Sequence, residues 1–545
     1  MAVTDEHKLD TPPSAEKDVG LPDYSAARVN ADGRRPSHQE GAVRADNFYT
    51  RNGLNFESFK KRDYGAGIVE LDRSMQPRHL QMIAIGGSIG AGFFVGSGGA
   101  LHKGGPGSLL IDFLIIGIMM FNVVYALGEL ACMYPVSGGF YTYATRFIDP
   151  SWGFAIGWNY VMQWAVVLPL ELTVCGFTVS YWNQEVNVGA WITIFFVAIL
   201  VVNIFGTLGY AEEEFWASSL KLIATVIFIL IAFIMVLGGG PERGIYHEYW
   251  GRGYAHNPVA SLPSAIKQVF WRVTIFYVLG LLFVGLLVDS QDKRLLGAAN
   301  SYADITASPF VIVGKNAGLD GFDSFMNVII LVSVLSIGVS AVYGGSRTLT
   351  AMAQQGYAPK IFSYIDKSGR PLPSVAVIII FGLLAYISEA EKGQEVFDWL
   401  QALSGLAALF TWGSICYAHI RFRQAWKHHG HTLDEIPFKA IGGVYGSWLG
   451  LFLIVVVLVV QFYTAICPVG GGYNDAAGFF KAYLALPVLL VFWAGGFLWK
   501  RTGWLTMSQI DVDSGRRVLD WDEINAFRAE QAKWPMWKRI LKIFF

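Results

Sequence analysis

Two stretches of the sequence carry groups able to do chemistry inside an apolar environment. The first, AIGGSIGAGFFVGSGG from Ala84 to Gly99, interrupts an apolar run with closely spaced glycines. Small residues four apart let helices pack closely. The same glycines also permit an unwound segment whose free N–H groups and half-helix end hold an anionic group at mid-membrane. The residues alone leave both readings open. The second, VVLPLELTV, places Glu171 near the middle of another apolar run, two residues after Pro169. An ionisable side chain there is costly and marks a functional candidate. Glu129 sits nearer a span end, where a hydrogen bond to a neighbouring helix accounts for it, and Asp112 reads as an interfacial residue.

Other candidates carry less. KHHGH, from Lys427 to His431, has polar flanks and reads as a solvated basic loop rather than a metal site. Cys132, Cys175, Cys416 and Cys467 lack paired or metal-ligand spacing and read as buried small hydrophobes. The sequence contains no Gly-x-Ser-x-Gly elbow, zinc-helix motif or phosphate loop, so an enzyme, a metal or a cofactor is not expected, and nothing points to nucleic acid.

The elements that must position these residues follow from composition. The chain has 545 residues, 53% hydrophobic, 15% aromatic and only 15% charged, against roughly 25% charged in soluble proteins. An all-α polytopic membrane protein is expected, with aromatic belts at its interfaces. Spans of sufficient length number about eleven: His79–Leu101, Ser108–Met133, Ala155–Trp182, Val188–Phe205, Phe215–Leu237, Val269–Val288, Phe325–Tyr343, Leu372–Ser388, Trp399–Ala418, Ser447–Ile466 and Phe480–Trp499. Residues 1–63 form a polar N-terminal tail, 64–499 the membrane domain and 500–545 a C-terminal tail, with both tails cytosolic. WPMWKRILKIFF at the C-terminus alternates basic and apolar residues and is expected to lie along membrane lipids at the inner face.

Lys and Arg in short loops stay cytosolic. Lys60, Lys61, Arg62, Arg73 and Arg78 therefore place the N-terminus inside, and alternation holds through the fifth span. Beyond Gln268 strict alternation sends Arg347, Lys360, Lys367 and Arg370, then Arg421, Arg423, Lys427 and Lys439, to the outside. One inversion between Gly238 and Gln268 corrects them all. GGGPERGIYHEYWGRGYAHNPVASLPSAIKQ therefore reads as an outer half and an inner half joined without the span that should separate them.

MQPRHLQMIAIGGSIGAGFFVGSGGALHKGGPGSLLIDF, YALGELACMYPVSGGFYTYATRFIDPSWGFAIGWNYVMQWAVVLPLEL, SAVYGGSRTLTAMAQQGYAPK and SGLAALFTWGSICYAHIRFRQAWK closely resemble the fungal amino-acid permeases of the amino acid–polyamine–organocation superfamily, nearest to the general, broad-range type. The resemblance runs from about Tyr64 to the C-terminus. It implies twelve helices in an inverted repeat of five plus five with two extra, and proton-coupled import of amino acids at the plasma membrane. It implies that Ser88, Ile89, Gly90, Ala91 and Gly92 form the broken first helix that receives the substrate carboxylate. Glu171, Ser340, Tyr343, Thr411 and Trp412 would line the pathway. It also implies ubiquitin machinery acting on Lys8 and Lys17.

Members of that family carry a sixth, glycine-broken helix between segments matching YHEYWG and NPVASLP, which here follow one another through Arg252 to His256. The charge parity marks the same gap. An inverted-repeat transporter builds its site from two broken helices, so this chain is expected to be transport-defective. A shortened natural product and an exon dropped from the gene model are the two explanations. An amino-acid-sensing receptor of the same family is the alternative function.

Overall fold

The computed structural model describes residues 54–62, 75–86, 89–90, 92–136, 139–183, 185–237, 266–295, 308–389, 393–467, 473, 476–517 and 535. Ser88, Ala91, Lys8, Lys17 and most of Gly238–Gln268 lie outside them. Among the described residues the regular structure is helical apart from one isolated bridge, Lys61 to Asp366.

The helices are α1 (Pro77–Gly86), α2 (Ser97–Met133), α3 (Phe140–Phe147), α4 (Pro150–Val179), α5 (Val188–Ile204), α6 (Gly206–Val236), α7 (Ile266–Leu287) and α8 (Pro309–Asn316). There follow α9 (Phe322–Gln354), α10 (Leu372–Gly382), α11 (Gly393–His428), α12 (Gly443–Ile466), α13 (Ala476–Tyr483) and α14 (Ala485–Lys500). Among the described residues seven helices are long and apolar enough to cross a membrane, eight if α13 and α14, bent by 69°, count as one span. Val188–Ile204 and Tyr277–Leu287 are apolar but shorter.

Differences from the expected spans have local causes. The last span is not continuous: Pro487, in the first turn of α14, has no N–H to offer the carbonyl of Tyr483, so α13 stops there. The first span divides at the glycine cluster, and its second half runs through a π turn at Gly92–Gly96 into α2. Gly105 then turns the chain with φ 74° and ψ 173°, a region only glycine enters freely. The next residue, Pro106, restarts the helix.

Contacts sort the loops onto two faces. On one, Arg62 N–H donates to Ile365 O at 3.0 Å and Arg370 donates to Ile204 O at 2.6 Å, joining the N-terminal segment and the α5–α6 corner to the α9–α10 loop. Lys500 lies 5.0 Å from the Tyr357 ring centroid, placing the end of α14 there too. On the other face Asn187 Nδ2 donates to Glu389 Oε2 at 2.7 Å, and Trp182 Nε1 donates to Ser324 Oγ at 3.2 Å. Lys360, Lys367 and Arg370 therefore share a face with the N-terminal segment, as loop charge requires and strict alternation forbids.

The ends of α6 and α7 pack together. Phe233, near the end of α6, meets Phe283, near the end of α7, with ring centroids 6.4 Å apart. Met235, Leu286, Leu287 and Val288 pack in the same buried cluster. Helices whose C-terminal ends lie together are parallel, so α6 and α7 both finish at the far face.

Glu129, on α2, is fully buried and takes the structural role. Arg423 Nη2 donates to its Oε2 at 2.8 Å, Ala440 N–H donates to the same oxygen at 2.6 Å, and His419 Nε2 lies 3.1 Å from its Oε1. The four cysteines are free, with Cys175 and Cys416 buried. KHHGH is less solvated than expected at its end: His431 stacks on Trp426 and lies 2.9 Å from Glu435 and 3.3 Å from Asp513. Glu435 is held down to about 2 by the Thr432 N–H, with His431 and Arg516 assisting, so it stays anionic at physiological pH.

The start of the C-terminal tail is part of the folded body. Tyr134 OH donates to Val512 O at 2.6 Å and Arg146 Nε donates to Asp511 O at 2.8 Å. Ile510 and Val512 are buried with Phe147, Phe422 and Trp426. Asp149 links this segment to the scaffold: it caps α4 by accepting from Trp152 N–H at 3.1 Å, and its other oxygen accepts from Thr502 Oγ1 at 2.8 Å. Removing such a cap costs about 0.5–2 kcal/mol. Asp149→Ala is therefore expected to destabilise the detergent-solubilised protein by that amount and to speed proteolysis at Thr502–Arg517. Asp149→Asn, which can still cap, should recover most of the loss.

Candidate functional site

The site forms where α6 and α9 face each other beside the break in the first span. Along α6 the residues Thr207, Tyr210, Glu214, Ser218 and Lys221 recur at intervals of three and four, so they share one helix face. Ser336, Ser340, Tyr343 and Arg347 do the same on α9. Lys221 is completely buried and Glu214 is 1% exposed.

Their contacts form one connected set. Lys221 Nζ donates to Ser336 Oγ at 3.0 Å and to Gly86 O at 3.4 Å, and lies 3.7 Å from Glu214 Oε1. Ser336 Oγ donates to Glu214 Oε2, Ser340 Oγ donates to the same oxygen at 3.3 Å, and Ser218 Oγ donates to Oε1 at 2.9 Å. Burying an ammonium and a carboxylate costs several kcal/mol per ion and persists only where hydrogen bonds satisfy the remaining valences. Three serines and a carbonyl do that here. Glu213 and Glu171 lie within Coulombic range of the same lysine.

The first-span break supplies the third wall. Helix α1 ends at Gly86, whose carbonyl accepts from Ile89 N–H at 3.0 Å as well as from Lys221. A cation at that position complements the negative end of the helix dipole. A Cβ on Gly86 would fall 2.1 Å from Ser218 Cβ, so only glycine lets α1 lie this close to α6. Gly90 is similarly tight, with a Cβ there 2.4 Å from Ile337 Cδ1 of α9. Ile89 is fully buried, and Gly92, which is exposed, opens the π turn.

The expected pathway residues fall in different places. Ser340 and Tyr343 belong to the cluster, Tyr343 stacking on Tyr210 at 4.1 Å. Glu171 borders it through Lys221, and its Oε2 is buried without a hydrogen-bond partner among the described residues. Thr411 lies apart, donating to Ala407 O at 3.1 Å and accepting from Asn159 Nδ2 at 3.5 Å. Trp412 packs elsewhere, against the cluster of Met119, Ile415, Cys416 and Ile454. Sequence reasoning passed over Lys221, Glu213 and Glu214. A lysine between SSL and LIATVIFIL is an intramembrane charge by the same rule that singled out Glu171, but the expected span began only at Phe215 and left the acidic run outside it.

Comparison with known proteins fits this geometry. The family model described as amino acid permease matches residues 79–257 and 253–509. The chain belongs to the amino-acid permease family. It is a membrane transporter rather than an enzyme, and its relatives are fungal amino-acid permeases. The permease is 63% identical to the amino-acid permease inda1 of Hypocrea atroviridis, covering 96% of this chain and 97% of the relative. It is 46% identical to general amino-acid permease GAP2 of Candida albicans, covering 86% of each. It is 45% identical to general amino-acid permease GAP1 of Saccharomyces cerevisiae, covering 86% of this chain and 85% of the relative.

The alignment with inda1 spans 565 positions, of which this permease fills about 523 (96% of 545), leaving about 40 opposite no residue of the chain, roughly twice the ~20 residues of one membrane helix. The family match itself is in two parts that meet at residues 253–257.

Proposed function

We propose that the family form of this permease imports amino acids across the plasma membrane together with protons. The substrate carboxylate is received at the break containing Ser88, Ile89, Gly90, Ala91 and Gly92, and the proton is handled by the Lys221–Glu214 cluster. Glu171 is the third ionisable wall of the pathway. The observation that carries this reading is the buried ammonium joined at once to Gly86 O, Ser336 and the carboxylate of Glu214.

The chemistry follows from those contacts. A proton taken by Glu214 cancels the attraction that holds Lys221 between α6 and α9. A proton lost from Lys221 removes one of the donors to the end of α1. Either change alters how firmly α6, with the first half-helix packed on it, is tied to Ser336 and Ser340 of α9, and the break beside it is where a carboxylate would find unused backbone N–H groups. Proton occupancy and substrate occupancy thereby act on one joint. Uptake of labelled amino acids is expected to fall at least tenfold on collapse of the proton gradient with an uncoupler; uptake that persists unchanged would rule out the coupling. A competition panel of the common amino acids defines the range.

We further propose that this chain lacks the crossing that the family form uses to return from the end of α6 to the start of α7, and with it one of the two half-sites. Supporting this are the parallel α6 and α7, the loop charges, the two-part family match and the unfilled alignment positions. Sequencing the messenger RNA across the codons for Gly251–Asn257 tests it. A transcript carrying a further helix-encoding stretch is expected; a sole transcript matching this chain, with uptake at the cell surface, overturns it.

A further inference from the structure

We propose that Tyr210 and Tyr343, with Arg347 closing over them, form the gate between the Lys221–Glu214 site and the face that carries the N-terminal segment. The inference rests on reading that cluster as the transport site.

The gate lies on the same two helix faces, one turn nearer the ends. The rings of Tyr210 and Tyr343 are stacked with centroids 4.1 Å apart and planes 16° apart. The Arg347 guanidinium covers Tyr343 at 4.3 Å, and its Nη2 donates to Thr207 Oγ1 in the first turn of α6. Beyond them Arg370 donates to Ile204 O at the α5–α6 corner. On the inner side Ser340 Oγ approaches both Tyr210 OH, at 3.4 Å, and Glu214 Oε2, at 3.3 Å. One hydroxyl therefore touches the gate and the site, so a change in the charge of Glu214 reaches the ring stack through a single side chain.

Each side of this seam is packed against further helices. Helix α9 is locked to its other neighbours through glycines: a Cβ on Gly345 would lie 3.0 Å from Trp164 Cβ of α4, and one on Gly338 2.7 Å from Ile199 Cδ1 of α5. Helix α6 is locked to α1 through Gly86 and Ser218. Such close approaches do not slide, because interiors are packed too densely to deform continuously. The α6–α9 seam carries rings, hydroxyls and a guanidinium instead. These groups accept water once apart, so this part of the seam can line a wet path.

The test needs no uptake, so its outcome is independent of whether the transport reading holds; that reading is decided by the uncoupler experiment. In the full chain with Cys132, Cys175, Cys416 and Cys467 replaced, Ser340→Cys reports the inner side of the gate, and Ala341→Cys, buried against α4, reports general loosening. Inside-out vesicles are treated with a membrane-impermeant maleimide. Tyr343→Ala is expected to raise the labelling rate at position 340 about five- to tenfold, the factor that loss of one ring stack supplies. Tyr343→Phe, which keeps the stack, should leave it unchanged, and position 341 should stay unlabelled. Tyr210→Leu is the second variant, in case the first loosens the whole bundle. Selective labelling at 340 in either variant supports the gate. No rise at 340 in both, or a rise matched at 341 in both, overturns it.

Discussion

Restoring a segment of about 40 residues, one membrane helix of ~20 residues with its connections, at residues 253–257, where the two parts of the family match meet, is expected to raise amino-acid uptake from background to a saturable, surface-localised activity. The chain without it is expected to be retained inside the cell and to transport nothing. The physical conflict is between connectivity and charge. Helices α6 and α7 end at the same face, yet a chain that crosses once for each helix would set every later loop on the wrong side. At roughly 1 kcal/mol for each Lys or Arg near an anionic inner surface, the loops that carry Arg347 to Arg370 and Arg421 to Lys439 resist that inversion by several kcal/mol. Structure adds to the resistance: Arg370 is buried in an ion pair with Asp366 at 2.7 Å, and Arg421 Nε donates to Phe147 O at 2.7 Å. Inverting these loops would break buried contacts as well as move charges. The measurements are surface biotinylation and labelled uptake for the two forms side by side. Equal surface level and equal uptake would refute the missing-crossing argument.

The second large effect is expected at Lys221. Lys221→Met should lower stability by about 3–5 kcal/mol, because it leaves Glu214 as an uncompensated buried charge, and both side chains are essentially inaccessible. Adding Glu214→Leu should recover much of the loss, since a buried ion pair replaced by apolar groups of similar size is often neutral or better. The double variant separates two roles: stability returns, while proton-dependent uptake in the restored form does not. Thermal unfolding in detergent and uncoupler-sensitive uptake are the two readouts. A Lys221→Met protein as stable as the parent would show that the cluster is not a coupled buried pair; a double variant with full proton-dependent uptake would remove it from the transport cycle.

Some of this was legible in the residues. Composition alone determines a polytopic helical membrane protein, because 15% charged residues cannot clothe a soluble body of this size. The glycine cluster marked where either close packing or a break in the first span would fall, and α1 ends there at Gly86 with the π turn starting at Gly92. The charges of the loops pointed to Gly238–Gln268 as the place after which strict alternation puts Lys and Arg on the outer face. Each of these is a local property: backbone freedom, hydrophobic length, or the sign of a short loop.

What the tertiary structure decided is which polar groups meet. Lys221 finds Ser336 and Gly86 at separations of 115 and 135 residues along the chain, and Ser336 reaches Glu214 across 122. No periodicity or spacing records those pairings. They arise because glycines let α1 and α6 touch on one side, and α9 and α4 on the other, which aligns two polar helix faces in a common register. The same packing separates Trp412 from that cluster and draws residues after Thr502 into the folded body. A buried charge is tolerable only where partners from several helices converge on it, and convergence is a property of the packed bundle rather than of any segment read alone.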